Sequence, residues 1–447
     1  MDKLYETGSM VRELKATVTD LIKDDTSVKI TLDRSIFFPE GGGQYADRGT
    51  LIILDNSDDM SNAGSSGNTT KVHALDDQEN ITKVHILDGQ ENITEVHILD
   101  GQEIKTEDGR KVVYTVDREI APGTEVLCKL DWNLRFSRMQ QHSGEHVLTG
   151  IIHNTFGYNN TSFHLSDDEP VIVCFSGPLT DEQIEAVEIE ANKVIYENLP
   201  IRDTYPSKEE LAGINYRSKI EIEGQVRIVT VGNAPADAEN INYRTVDGDG
   251  DTVDICACCA PHVPSTAYIG IIKVISSQSY KGGTQLNILC GSRAFKYLQD
   301  EHKMVTRLSH EFSTSQDSLP VILLSQRDRL NDAENEIGRI REEGYLAAIA
   351  KMKDRDVPVF FADDMSAHAM KICYNALCNK FSGFCGVFSG SDESGYRFYA
   401  GNPKLDSNEL AKLMRERLDA KGGGSREMIQ GKLQSKAADI VDLFSWR

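Results

Sequence analysis

Two short segments concentrate the side chains that can hold a metal ion. The first, Arg138-Met139-Gln140-Gln141-His142-Ser143-Gly144-Glu145-His146, sets two histidines four positions apart. On a helix those positions share a face, so both imidazoles can reach one ion. A zinc protease would carry a glutamate directly after the first histidine as its general base. Ser143 stands there instead, which argues against peptide hydrolysis. The second segment, Asp254-Ile255-Cys256-Ala257-Cys258-Cys259-Ala260-Pro261-His262, places Cys258 and His262 at Cys-x-x-x-His spacing. His142, His146, Cys258 and His262 together make a tetrahedral set suited to Zn²⁺. Cys256 and Cys259 read as core or incidental thiols, with Cys256 a substitute ligand.

Two glycine-rich segments come next. In Phe37-Phe38-Pro39-Glu40-Gly41-Gly42-Gly43-Gln44-Tyr45-Ala46-Asp47 the three glycines allow positive φ and close backbone approach to a ligand. No Gly-Lys-Ser/Thr follows, so this is not a Walker loop, and composition alone reads as a turn. Gly422-Gly423-Gly424-Ser425-Arg426 lies between two helical segments. It reads either as a helix start whose free N–H groups hold an anion beside Arg426, or as a flexible connector.

The elements that must position these residues follow from periodicity. Residues 1–54 and 105–130 alternate as strands do, with 18–22, 28–32, 112–116 and 126–130 the clearest, and a small β-barrel is expected. Residues 132–157 and 181–198 read as helices, and 219–274 as strands and loops. From 293 to 350 apolar residues recur at three- and four-residue steps, and Pro320 divides the run into two helices expected to form a hairpin. From Val357 onward strands alternate with helices, as in an α/β domain. The expected fold class is α+β. Four parts are expected: an N-terminal barrel (1–130), an α/β domain with the metal site (131–292), a helical hairpin (293–350) and a C-terminal α/β domain (351–447).

A 12-residue repeat interrupts the barrel. Val84-His85-Ile86-Leu87-Asp88-Gly89-Gln90-Glu91 recurs as Val96-His97-Ile98-Leu99-Asp100-Gly101-Gln102-Glu103, and a looser copy starts at Val72. Each unit reads as a strand and a turn. Residues 55–104 are therefore read as a surface insertion, and His73, His85 and His97 as copies of one exposed strand residue rather than a metal stripe. This stretch carries nine of the 22 net negative charges.

Of the 447 residues, 39% are hydrophobic and 26% charged, enough apolar material for packed cores. No apolar run reaches the ~18 residues of a membrane helix, and the first residues form no apolar leader. Nine cysteines, three of them within 256–259, argue for a reducing compartment rather than a disulfide framework. A net charge of -22 gives no global attraction to a polyanion, so a nucleic-acid partner would need a local basic surface. Arg135, Arg138, Arg293, Lys296, Lys303 and Arg307 are candidates for one.

Taken in order, residues 37–44, 142–146 and 258–270 resemble the editing domain of alanyl-tRNA synthetase and its free-standing relatives, the AlaX-type editing proteins. Residues 422–424 resemble the glycine motif of the DHH-associated domain found in the same synthetases and in long AlaX proteins. The resemblance covers nearly the whole chain except 55–104. It implies that His142, His146, Cys258 and His262 bind zinc and that Gln44 faces the substrate. It also implies hydrolysis of the ester between serine or glycine and the 3′ end of tRNA(Ala), with a homodimer formed through the C-terminal region. The family often has Gly-Gly-Thr where Cys259-Ala260-Pro261 stands, so the ligand spacing is kept and the threonine hydroxyl is not. Only 36 residues precede the first motif, so no aminoacylating half is expected, and the chain is expected to act in trans in the cytoplasm. Glu40 is a general-base candidate by position, and His164 resembles a pocket-wall residue. Arg138, Arg293, Arg426 and Gly422–Gly424 are the expected tRNA contacts. The alternatives are the same chemistry on another aminoacyl-tRNA, such as a threonyl type, or a zinc-stabilised RNA-binding or assembly protein without turnover.

Overall fold

The computed structural model describes residues 1–24, 26–54, 94–106, 109–218, 225–235, 238 and 240–445. Two compact units result, Met1–Met304 and Val305–Arg447.

In the first unit six antiparallel strands close into a barrel in the order Glu13–Lys23, Val28–Leu32, Gly109–Val116, Glu95–Thr106, Gly49–Ile53 and Glu125–Leu130. Val18, Ile30, Leu51, Val96, Ile98 and Tyr114 fill its interior. The expected insertion at 55–104 is thereby corrected. The third repeat copy is the barrel strand Glu95–Thr106, which pairs with Gly49–Ile53 on one side and Gly109–Val116 on the other. Its alternation explains the repeat unit: Val96 and Ile98 point inward while His97 and Leu99 are exposed. The other two copies, with His73 and His85, lie outside the described residues.

The helix Trp132–Phe156 follows the barrel directly. Asp131 caps its start by accepting the Leu134 N–H at 3.1 Å, and Gly157 ends it at φ 72°. It is buried almost throughout from Arg138 to Ile152, because sheets pack against it. One is four-stranded, in the order Ile272–Tyr280, Gly283–Cys290, Val171–Phe175, Asn160–His164. The other is three-stranded, in the order Ile201–Thr204, Ile228–Gly232, Thr252–Ala257. Gly150 sets the approach to the second sheet, since a Cβ there would stand 2.3 Å from the Val253 carbonyl. The apolar core between helix and sheets includes Met139, Leu148, Ile151, Val173, Val229 and Val253.

Helices occupy Gly291–Glu311 and Leu319–Lys351, and Pro320 stands in the first turn of the second, where its missing N–H has no cost. The second unit then builds a five-stranded sheet in the order Val359–Ala362, Cys385–Ser391, Gly395–Gly401, Ile429–Leu433, Lys421–Gly424. Helices Ala367–Lys380, Ser407–Leu418 and Ala437–Ser445 accompany it. This corrects the reading of 422–424: the glycines are neither a helix start nor a connector but an exposed edge strand, paired antiparallel with Ile429–Leu433. Among the described residues no helix is long and apolar enough to cross a membrane.

Candidate metal centre

The motif helix presents His142 and His146 one turn apart, 3% and 2% exposed. Cys258 follows the strand Thr252–Ala257, and His262 lies in the loop beyond it. Their ligand atoms all lie within 4.8 Å of one another. Zinc–nitrogen bonds of ~2.05 Å and zinc–sulfur bonds of ~2.3 Å at tetrahedral angles put an N–S pair about 3.5 Å apart. Nε2 of His142 and of His262 stand 3.5 Å and 3.4 Å from the Cys258 sulfur, so the donors fit such an ion.

Each imidazole is oriented through its other nitrogen. Nδ1–H of His142 donates to Gln44 Oε1 at 3.0 Å, that of His146 to Asp254 Oδ2 at 2.8 Å, and that of His262 to Ser143 Oγ at 3.1 Å. All three Nε2 atoms therefore face the cluster, as outer-shell partners arrange in metal sites. Ser143, in the position of a protease's glutamate, is thus a histidine orienter, and it also accepts the Val263 N–H at 3.2 Å. Asp254 is itself held by Arg217, whose Nε and Nη2 donate at 2.8 and 2.7 Å. Asp254 also belongs to a neighbouring group with His146 and Cys256, where Arg217 already engages both its oxygens. Arg227 donates to the carbonyls of Cys258 and Ala260 at 3.1 and 2.8 Å and so fixes the loop that carries the thiol.

The electrostatics favour a thiolate. Burial alone would raise the Cys258 thiol, but His142 and His262 outweigh it and hold the group well below its usual range. Burial would lower His146, yet its bonds to Asp254 and Cys258 push it up to about 10. His262 is pushed down to about 3 by burial, against the pull of Cys258. Burial would raise Asp254, and Arg217 and His146 hold it below the ordinary carboxylate range instead.

The glycine segment closes over this cluster. Gly41 and Gln44 exchange backbone hydrogen bonds of 3.1 and 3.0 Å around Gly42 and Gly43, at φ 60° and 82°. Positive φ at both central residues is the mark of a type I′ turn. A Cβ on Gly43 would stand 2.8 Å from the Phe163 ring, which itself lies 4.9 Å from the His142 ring. The Cys259 sulfur lies under Gly42, and Ala260 packs with Tyr5 and Phe38. The tip ends on Gln44, 1% exposed, whose Oε1 is taken by His142 and whose Nε2 has no partner. A buried amide with unused donors at a candidate metal centre is available to a ligand oxygen.

Replacing Asp254 by Asn should weaken metal affinity by about 10- to 100-fold, read by competition with a chromogenic chelator, because His146 loses its charged orienter. Unchanged affinity would remove Asp254 from the site.

A family model described as the threonyl and alanyl tRNA synthetase second additional domain matches residues 226–286, which hold Cys258, His262, Asp254 and Arg227. The alanyl-tRNA editing protein AlaX-L of Pyrococcus horikoshii is 24% identical over 99% of this chain and 97% of its own length. The alanyl-tRNA editing protein Aarsd1 of Danio rerio is 25% identical over 94% of this chain and 89% of its own. This chain is a relative of the AlaX-type alanyl-tRNA editing proteins. The alanine–tRNA ligase of Pyrococcus furiosus is 25% identical over 98% of this chain, which spans 43% of that ligase.

Other expected site residues of this editing-protein relative lie elsewhere. Glu40 is exposed on the shoulder of the turn, its N–H bonded to the Gly101 carbonyl at 2.8 Å. His164 is exposed on the edge strand Asn160–His164, edge-on to Tyr45 at 6.2 Å. Neither is hydrogen-bonded to the four candidate ligands among the described residues. The basic cluster read around the motif helix is also corrected. Arg138 is 2% exposed, paired with Asp167 and donating to the Ala46 carbonyl at 2.6 Å, so its donors serve the fold rather than a phosphate. Arg135 is equally buried. Arg293 donates to the Ser166 and Glu169 carbonyls at 2.7 and 2.5 Å. Lys296 and Lys303 both pair with Asp300, at 2.7 and 3.2 Å. Arg426 is exposed.

Proposed function

We propose that this chain is a zinc-dependent hydrolase that deacylates mischarged tRNA(Ala), chiefly seryl- or glycyl-tRNA, in trans and in the cytoplasm, without aminoacylation activity. The observation that carries the reading is the three-histidine, one-cysteine cluster, each histidine turned inward by its own partner, under a glycine turn with an unused amide. Editing answers a physical need: a pocket that accepts alanine gains only ~1–3 kcal/mol against glycine or serine. When bound, zinc supplies Lewis-acid polarisation and a fixed point for the aminoacyl ester. His142, His146, Cys258 and His262 hold it. Gln44 keeps the His142 tautomer with its oxygen and offers its amide N–H groups to a substrate oxygen. Phe163 and the Gly42–Gly43 turn wall that position against bulk water. The reaction adds water across the ester, releasing the amino acid and the free 3′ hydroxyl of the tRNA.

We place domain boundaries at 130, 292 and 350, and a homodimer through the C-terminal region. Leu323, Leu330 and Ile337 recur at seven-residue spacing on the helix Leu319–Lys351 and are 38%, 59% and 51% exposed, which supports a helix-to-helix seam. Light scattering that reads the mass of one chain would remove that part.

The test is single-turnover deacylation of serine-charged and glycine-charged tRNA(Ala), with alanine-charged tRNA(Ala) and serine-charged tRNA(Thr) as comparisons. Fast release of serine and slow release of alanine from tRNA(Ala) are expected. Because the matching family model also covers threonyl synthetases, faster release from tRNA(Thr) would move the substrate to that branch. Tight tRNA binding with no release from any would mark a binding protein.

A further inference from the structure

The second unit buries three cysteines that neither the metal centre nor the editing chemistry uses. Cys373 and Cys378 lie on the helix Ala367–Lys380, and Cys385 opens the strand Cys385–Ser391 against which that helix packs. All three are free thiols in one apolar core with Leu377, Phe381 and Val387. Two of them meet. The thiols of Cys378 and Cys385 are hydrogen-bonded to one another. The backbone around them agrees: Cys378 Sγ donates to the Gly401 carbonyl at 3.8 Å, and Gly401 stands directly opposite Cys385 in the antiparallel pair. Cys385 Sγ lies 3.5 Å from the Gly383 carbonyl, at the entry to its strand. The chain turns from helix to strand within the six residues between the two cysteines, so a bond between the sulfurs closes a short loop that the fold has already formed.

The three thiols are chemically unequal. The hydrogen bond from Cys385 holds Cys378 below the usual thiol range against its burial, and Tyr374 and Lys404 add to the effect. The same bond, together with burial, pushes Cys385 up. Burial, with Glu342 adding to it, pushes Cys373 up to about 11. Cys378 is also the only one of the three with any exposed surface, 5% against 0% for the others. Thiolate character and access therefore coincide on Cys378, with a second thiol in contact behind it, which is the arrangement of an attacking and a resolving cysteine. Tyr374, the other partner of Cys378, donates its hydroxyl to the Glu427 carbonyl at 2.6 Å, in the turn between Lys421–Gly424 and Ile429–Leu433.

We propose that Cys378 and Cys385 form a reversible disulfide when the protein meets a peroxide, a redox switch in the unit that does not carry the metal centre. The Cys378 thiolate attacks one peroxide oxygen, the O–O bond breaks, and the other oxygen takes a proton and leaves as water. The Cys385 sulfur then attacks the sulfenic sulfur of Cys378. The S–O bond breaks, and its oxygen leaves as a second water with the Cys385 proton. In sum two thiols lose two electrons and two protons, and one hydrogen peroxide becomes two waters. A dithiol reductant returns both thiols by exchange.

The experiment treats the full-length, metal-loaded protein with hydrogen peroxide, stops it with catalase, and alkylates the unfolded chain with iodoacetamide before trypsin digestion. Trypsin cuts after Lys371, Lys380 and Arg397, so the disulfide joins peptides 372–380 and 381–397, which are otherwise separate. Mass spectrometry should find them as one linked species with Cys373 alkylated, and dithiothreitol before alkylation should resolve it. Cys378→Ser and Cys385→Ser should each abolish the link, and Cys373→Ser should keep it, with circular dichroism showing that each variant is folded. In Cys385→Ser the reaction should stop at the sulfenic acid, so dimedone should label Cys378. Both thiols alkylated after peroxide treatment would overturn the proposal. So would a link that persists in Cys378→Ser, since the bond would then run through Cys373.

Discussion

Cys258→Ala should strip the metal from the purified protein and slow serine release from serine-charged tRNA(Ala) by about three orders of magnitude. The size follows from the several kcal/mol, here ~4, that a bound metal contributes to charge stabilisation, at 1.36 kcal/mol per tenfold in rate. The variant removes the only anionic donor of the set, the thiolate that His142 and His262 hold deprotonated. Three imidazoles remain, none of them an anionic donor. Elemental analysis and single-turnover kinetics on the same preparation check it, with circular dichroism to show that the fold persists. The main apolar core gathers around Leu148, Val173 and Val253, with Cys258 packed against it only as a partly buried neighbour. Full activity in a metal-free variant would sink the proposed role of the cluster.

The second large effect is expected from a pair that touches no ligand. Arg135, on the motif helix, is paired with Asp47, just past the glycine turn; their side chains are 0% and 1% exposed. Arg135 also donates to the carbonyls of Ile36 and Ser9, at 2.6 and 3.3 Å, and Asp47 accepts the Phe38 N–H at 2.7 Å. The pair therefore ties both shoulders of the glycine turn to the helix that carries His142. Asp47→Asn leaves a buried guanidinium without its counter-charge and should cost about 3–5 kcal/mol in urea unfolding. Arg135→Met with Asp47→Leu should recover much of the loss, since an apolar replacement removes both desolvated charges. Deacylation should fall in both forms while metal content stays, because the turn and not the metal site has lost its anchor. A single variant as stable as the wild type would show the pair to be solvated in solution.

The grouping of the four candidate ligands was legible in the sequence because its spacing is local. His142 and His146 sit one helical turn apart, and Cys258 and His262 share one loop. The long helix was legible within a residue at each end, since Asp131 is a start signal and Gly157 a stop signal. What escaped is whatever depends on pairing across distance. Asp254 stands in the quoted motif, but nothing local says that it holds His146, and its own partner Arg217 lies 37 positions away. Arg135 and Arg138 look like surface cations in sequence; only the packed structure reveals carboxylates and carbonyls waiting for them. The glycines at 422–424 were misread for a compositional reason: glycine signals a turn unless a neighbouring strand supplies hydrogen bonds, and Ile429–Leu433 does. The barrel was expected, yet its fourth strand in chain order was hidden among its own copies.

Those copies bear on how the barrel is threaded. Val84–Glu91 and Val96–Glu103 are the same eight residues, twelve apart. The slot between Gly49–Ile53 and Gly109–Val116 reads side chains, not position in the chain, and a slip of twelve, being even, keeps the valine and isoleucine of the octapeptide on the inner face. The two octapeptides suit one seat by side chain and differ in the loops they leave: using the earlier copy would lengthen the connection to Gly109 from two residues to fourteen, ~1.7 kcal/mol in closure entropy, and shorten the one before it, regaining ~0.3 kcal/mol. A twelve-residue deletion or gain in this stretch would leave the barrel with the same strand to choose. The barrel takes one copy as its strand, and a change in length ahead of that copy alters the loop without altering the strand.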